Sequence, residues 1–119
     1  KVEYAYLGVE SAPVYPQLAE RFDLGTSSGA WVQRVTDGGP SDDAGLRAGN
    51  DRVRFQASPY RDGGDVVIRL GGRPVGSPDE LGQALRRFSP GDKVPVVVIR
   101  DGKRVALTIT AGERPVENP

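Results

Sequence analysis

Short apolar runs punctuated by glycine and proline set the rhythm of this chain, and their period changes along it. Val105, Leu107 and Ile109 alternate with Arg104, Ala106 and Thr108, which predicts a strand with one core-facing side. Residues 94–100 form a second strand-like run just before it. Asp101-Gly102 joins the two with a turn whose backbone matches strand twist, so 94–109 reads as a hairpin. Residues 66–70 and 30–35 read as further strands, the latter opened by Gly29, and residues 4–9 as an extended lead-in to a strand. Helical spacing is rarer. Leu18 and Phe22 stand four apart in a short helix over 16–22, and residues 41–46 read as one helical turn after Gly38-Gly39-Pro40. The strongest helix start is Ser77-Pro78-Asp79-Glu80. Ser77 caps free backbone donors, Pro78 suits the first helical position, and Glu80 completes a capping box. That helix should run to about Phe88, with Leu81, Ala84, Leu85 and Phe88 at helical spacing, before Pro90-Gly91 stops it.

The expected class is therefore mainly β with two to three short helices. A length of 119 residues suits one domain with one core. Residues 1–114 are assigned to it, and the polar stretch 115–119 to a loose tail. Residues 50–64 stand out. Val53 and Phe55 alternate with Arg52, Arg54 and Gln56, then Pro59-Tyr60 turns back towards Gly63-Gly64, as in a β-excursion or hairpin.

Charge and composition narrow the chemistry. Sixteen basic residues balance sixteen acidic ones, so no basic field for nucleic acid exists. No apolar run is long enough to span a membrane, and no charged-then-apolar leader opens the chain. The missing initial methionine is expected of a fragment of a longer protein, and equally of a secreted protein after maturation. Cysteine and histidine are absent, which removes disulfides, thiolate metal sites and the commonest general base. Gly25-Thr26-Ser27-Ser28-Gly29 fits the pattern of a nucleophilic serine, but no histidine can activate Ser27 and a strand, not a helix, follows. Asp42-Asp43 and the Asp62/Asp65 pair lack the spacing of a cation loop and read as solvated loop carboxylates. Trp31 reads as core. No cofactor, metal or catalytic residue is expected.

Three segments carry a resemblance when taken in order: Tyr6-Leu7-Gly8-Val9, Pro40 to Leu46 with Gly49, and the stretch from Asp65 through Gly72-Arg73-Pro74-Val75 and the Ser77 helix to Arg100-Asp101-Gly102-Lys103. Together they resemble a PDZ domain of the kind attached to HtrA-like, trypsin-fold serine proteases (DegP/DegS-type). The likeness covers about residues 4–111, in the permuted bacterial topology of a partly open β-sandwich or barrel. The family usually passes straight from the Ala-Gly-Leu turn to its Gly-Asp pair, so residues 50–64 are an insertion here.

The resemblance implies a binding module that catalyses nothing itself. It would capture the C-terminal carboxylate of a partner polypeptide as an added strand, with Leu7, Gly8 and Val9 as backbone donors. Leu7 and Val9 would border the pocket for the last side chain, with Ser11 further along. Tyr6 and Glu10 complete that ligand-contacting stretch, and Pro78, Gly82 and Leu85 would form the helix stripe facing the groove. Leu81, Ala84 and Phe88 are left for the core. An apolar final residue is the expected anchor, since burial yields about 25 cal/mol per Å². Ala12-Pro13 is expected to shorten the exposed strand edge. The resemblance also implies a protease domain upstream and an extracytoplasmic location in the cell envelope. A non-proteolytic scaffold or secretion module is the alternative.

Overall fold

The computed structural model describes residues 4–113, and the tail expected over 115–119 lies outside them. The strands are β1 (Ala5–Tyr6), β2 (Val9–Pro13), β3 (Ala30–Val35), β4 (Asp51–Phe55), β5 (Ser58–Asp62), β6 (Val66–Leu70), β7 (Arg73–Pro74), β8 (Lys93–Arg100), β9 (Lys103–Thr110) and β10 (Gly112–Glu113). Three short helices join them: α1 (Pro16–Phe22), α2 (Pro40–Asp43) and α3 (Pro78–Leu85). The main sheet runs β2-β3-β6-β8-β9, with β7 paired to β6, and every pairing is antiparallel. β1 pairs β10, and β4 pairs β5 as a separate hairpin. The sheets stay open and do not close into a barrel.

Alternation puts neighbouring residues into two different cores. Val32, Val67 and Val98 enter a cluster with Leu70, Leu81 and Val94. Their neighbours Trp31, Val66 and Ile99 enter a second cluster with Val14, Leu18 and Leu24 on the opposite face. On β9, Ile109 is buried and Val105 and Leu107 pack against the first cluster, while Arg104, Ala106 and Thr108 are exposed as the pattern requires. Trp31 is fully buried, as the sequence predicts.

The insertion at 50–64 is a hairpin. Its turn residues Gln56 and Ala57 have φ of 52° and 68°, the left-handed pair that suits strand twist. Phe55 and Tyr60 tie it to the second core. Phe55 meets the edge of Phe22 at 6.0 Å between centroids, and Tyr60 stacks on Trp31 at 5.6 Å.

Three expectations need correction. α3 ends at Leu85 rather than near Phe88. Tighter bonds, from Phe88 N–H to Leu85 O and from Arg87 N–H to Ala84 O, close the last turn, and Phe88 packs against the first core from beyond the helix. Glu80 does not close the box on Ser77; its Oε1 accepts from Gly76 N–H at 2.6 Å, while Ser77 Oγ accepts from Glu80 N–H at 3.2 Å. Asp65 is no solvated loop carboxylate: it is 1% exposed and paired with Arg100.

Candidate functional site

Position 8 needs a glycine. Its φ of +74° lies in the left-handed region, and an added Cβ would press on Thr36 at 3.2 Å. This bend ends β1 and starts β2. Leu7 O accepts from Ser41 N–H at 3.0 Å, and Gly8 O accepts from Thr36 N–H at 2.9 Å. Tyr6 and Thr36 share a hydroxyl hydrogen bond at 3.3 Å. The carbonyl side of the bend is thus anchored. Among the described residues, neither Leu7 N–H nor Gly8 N–H has an acceptor, although both residues are buried. Buried backbone donors are nearly always paired, so two open ones in succession mark a place where a ligand oxygen fits.

The strand after the bend continues that pattern. β2 is an edge, paired to β3 on one side only. Thr36 N–H bonds to Gly8 O, so Val9 and Val35 form a pair whose own backbone groups point away from each other. A bulge between Glu10 and Ser11 shifts the register, and Val14 N–H then bonds to Gly29 O. By the same alternation Ser11 and Pro13 also present their backbone to the free edge. Val9 and Ser11 each offer N–H and C=O there. Pro13 offers only C=O, so the donor row stops at Ser11, as the sequence predicts.

α3 lies alongside this edge. Its start is tied to β3 by Gly29 N–H donating to Gly76 O at 3.1 Å. Leu81 and Ala84 enter the first core. Pro78 is half-buried and Gly82 is exposed, with nothing within 4 Å of where a Cβ would stand. Leu85 and Val9 are half-buried against the first core, and Leu7 is 5% exposed within it. Leu7, Val9 and Leu85 thus meet at the first core, and α3, which carries Pro78 and Gly82, lies beside the strand that carries Ser11. Glu10 falls on the opposite face of β2, 3.8 Å from Arg34. Tyr6 supports the bend from below.

What such a geometry can do chemically is hold an anion and extend a sheet. Ser27 sits exposed in a bend before β3, not on a strand-to-helix turn. Among the described residues no cluster of potential metal ligands forms, and no helix is long and apolar enough to cross a membrane.

Sequence reasoning missed one feature. A cleft of about 830 Å³ lies between the Glu10–Arg34 face and the inserted hairpin, lined by Arg34, Arg52, Arg54 and Arg61 among others. The alternation of Arg52 and Arg54 with Val53 and Phe55 was visible in the chain; which neighbour that face meets was not.

Comparison with known proteins agrees with this geometry. The family model described as PDZ domain matches residues 5–111. A protein of Ectopseudomonas mendocina described as a probable periplasmic serine endoprotease, DegP-like, is 34% identical over 98% of this chain, which covers 22% of that protein. A protein of the same description from Pseudomonas savastanoi pv. phaseolicola is also 34% identical, with 98% of this chain and 21% of that protein covered. The chain therefore spans about a fifth of the length of these relatives. Among solved structures, the HtrA-type protease AlgW with decapeptide superposes with a TM-score of 0.76 at 30% identity, covering 98% of this chain and 31% of that one. The HtrA3 PDZ domain bound to a phage-derived ligand (FGRWV) gives 0.69 at 22% identity, covering 95% and 89%, and at that identity shows likeness of fold alone.

Proposed function

The chain belongs to the PDZ domain family, and from that membership we propose that it captures the C-terminal end of a partner polypeptide by β-strand addition to β2. The terminal carboxylate sits against the N–H groups of Leu7, Gly8 and Val9, where the left-handed Gly8 turns consecutive donors towards one point. The ligand's main chain bonds to the outward groups of Val9 and Ser11. Its last side chain is apolar and completes the cover of the first core between Leu7, Val9 and Leu85. Gly82 leaves room for the third residue from the end.

The observation that carries this reading is the pair of open N–H groups at Leu7 and Gly8, directly before a free strand edge. The peptide-bound AlgW structure, similar along nearly the whole chain, supports it. The same similarity, and the description of the relatives as periplasmic serine endoproteases, support an extracytoplasmic HtrA-like protease as the parent, with this domain as its non-catalytic substrate-recognition or regulatory module.

The test is a titration of free-acid peptides ending in Val, Leu, Ile or Phe, each repeated with its C-terminus amidated. Binding by the free acids and loss of most affinity on amidation is the expected result. Equal binding by both forms overturns the carboxylate reading, and so does a preference for charged final residues overturn the apolar anchor.

A further inference from the structure

The inserted hairpin places cations beside the same strand edge, on the face away from α3. Glu10 and Ser11 of β2 form one wall of the cleft, with Gln33 and Arg34 of β3 next to them. Arg52, Arg54 and Arg61 of the hairpin, with Val53, Pro59 and Tyr60, form the opposite wall. Four arginines therefore line a cleft with one carboxylate, Glu10, and among the described residues that carboxylate is engaged by Arg34 alone, at 3.8 Å. The hairpin's own acids, Asp51 and Asp62, pair at its base and do not line the cleft.

The cations are poorly neutralised. Arg54 Nη2 donates to Ala57 O at 3.3 Å, a neutral acceptor. Among the described residues the guanidinium groups of Arg52 and Arg61 make neither a hydrogen bond nor an ion pair. These two residues stand directly opposite each other across β4 and β5. Like charges facing across a hairpin repel, so this arrangement costs the free domain something that a bound anion relieves.

A strand added to β2 meets this cleft with alternate side chains. If its final residue lies across from Val9, its third from last lies across from Ser11, and both turn towards α3. The penultimate and fourth-from-last residues lie across from Glu10 and Ala12, and both turn to the face away from α3, the side on which the cleft opens. Glu10 stands directly opposite the penultimate position and disfavours a carboxylate there. The fourth-from-last position faces no acidic residue of β2. Resting on the peptide-capture reading above, we infer that the inserted hairpin is a specificity element that selects ligands carrying an acidic side chain four residues from the C-terminus.

The probe is a set of three decapeptides ending in free valine that differ only at the fourth residue from the end, which is Glu, Ser or Lys. Titrated against the 119-residue chain at low salt, the Glu peptide should bind about three- to tenfold tighter than the Ser peptide, as one or two accessible ion pairs allow, and the Lys peptide weaker than both. The preference should shrink as ionic strength rises. In the double variant Arg52→Ser/Arg61→Ser the ratio of Glu to Ser affinities should fall to near one. Free-acid peptides that bind, and lose affinity on amidation, yet show no Glu preference would leave the groove reading standing and overturn this inference. A Glu preference that persists in the double variant overturns it too. If no free-acid peptide binds, both readings fall together.

Discussion

Arg100 grips Asp65 through two hydrogen bonds, Nε to Oδ1 at 2.9 Å and Nη2 to Oδ2 at 2.7 Å, and the carboxylate is almost fully enclosed. The same Oδ2 accepts from Arg47 N–H at 2.9 Å, Asp65 N–H donates to Arg47 O, and Arg100 Nη2 also donates to Gly45 O. Arg47 and Asp65 flank the inserted hairpin, so this knot closes its neck and lets the sheet continue as though nothing intervened. The hydrogen bonds to Asp65 raise the guanidinium pKa further above its already high ordinary value, so the arginine stays cationic.

Breaking one side of this pair leaves the other charge buried and alone. Arg100→Ala should therefore destabilise the domain by about 3–5 kcal/mol in urea unfolding. Arg47→Ala removes only an exposed pair with Asp101 at 3.9 Å and should cost about 0–1 kcal/mol. Similar losses for the two variants would show that the knot does not hold the neck.

Gly82 separates stability from binding. It sits inside α3 with open space where a side chain would go. Gly82→Ala should raise stability by up to about 1 kcal/mol through helix propensity alone. Gly82→Leu should keep the fold and fill the space beside the ligand's third-from-last residue, lowering peptide affinity at least about tenfold if binding needs that space. Unchanged affinity in a folded Gly82→Leu variant removes the helix stripe from the site.

Local signals made much of this legible from sequence. α1, β3 and β6 fall where spacing and glycine boundaries put them, because each is bounded by a residue that fixes or frees the backbone: Pro16, whose ring locks φ, and Gly29 and Gly71, which hold φ of 136° and 61°. Asp101-Gly102 marks its hairpin for the same reason, with φ of 51° and 76°. The bend at Gly8 was named from resemblance, and its open N–H groups follow only from register. What stayed hidden depends on long-range partners. Asp65 looks like any loop carboxylate until Arg100, thirty-five residues later, is folded onto it. The arginine cleft needs both the hairpin's facing and the β3 bulge, and neither is a local property.

The inserted hairpin turns without glycine. Gln56 and Ala57 both hold positive φ, a conformation that costs an ordinary residue about 1–2 kcal/mol. Gln56→Asn/Ala57→Gly supplies the residues this turn favours and should stabilise the domain by about 1 kcal/mol or more. Tyr15 donates its hydroxyl to Gln56 Oε1 at 3.2 Å, so the single variant Ala57→Gly is the cleaner measurement. No gain in Ala57→Gly would mean that the turn relaxes away from this geometry.

Tyr60 gives the fold a dependence on alkaline pH. Burial against Trp31, then the nearby Tyr15 hydroxyl, raises its pKa above the ordinary 10.0. The native state therefore holds the phenol proton more tightly than the unfolded chain does. Wherever the native state binds more protons, stability falls as pH rises. The contribution is complete below pH 10.0 and is lost as pH climbs through the folded value. Urea unfolding at about pH 9 and about pH 11, on either side of the ordinary tyrosine pKa, should show the wild type losing more stability than Tyr60→Phe, which cannot ionise there. Every other residue is common to the two proteins, so the difference reads Tyr60 and its contact with Tyr15. An equal loss in both would mean that the phenol is as free to ionise in the fold as in water, and that the hairpin does not seal against Trp31.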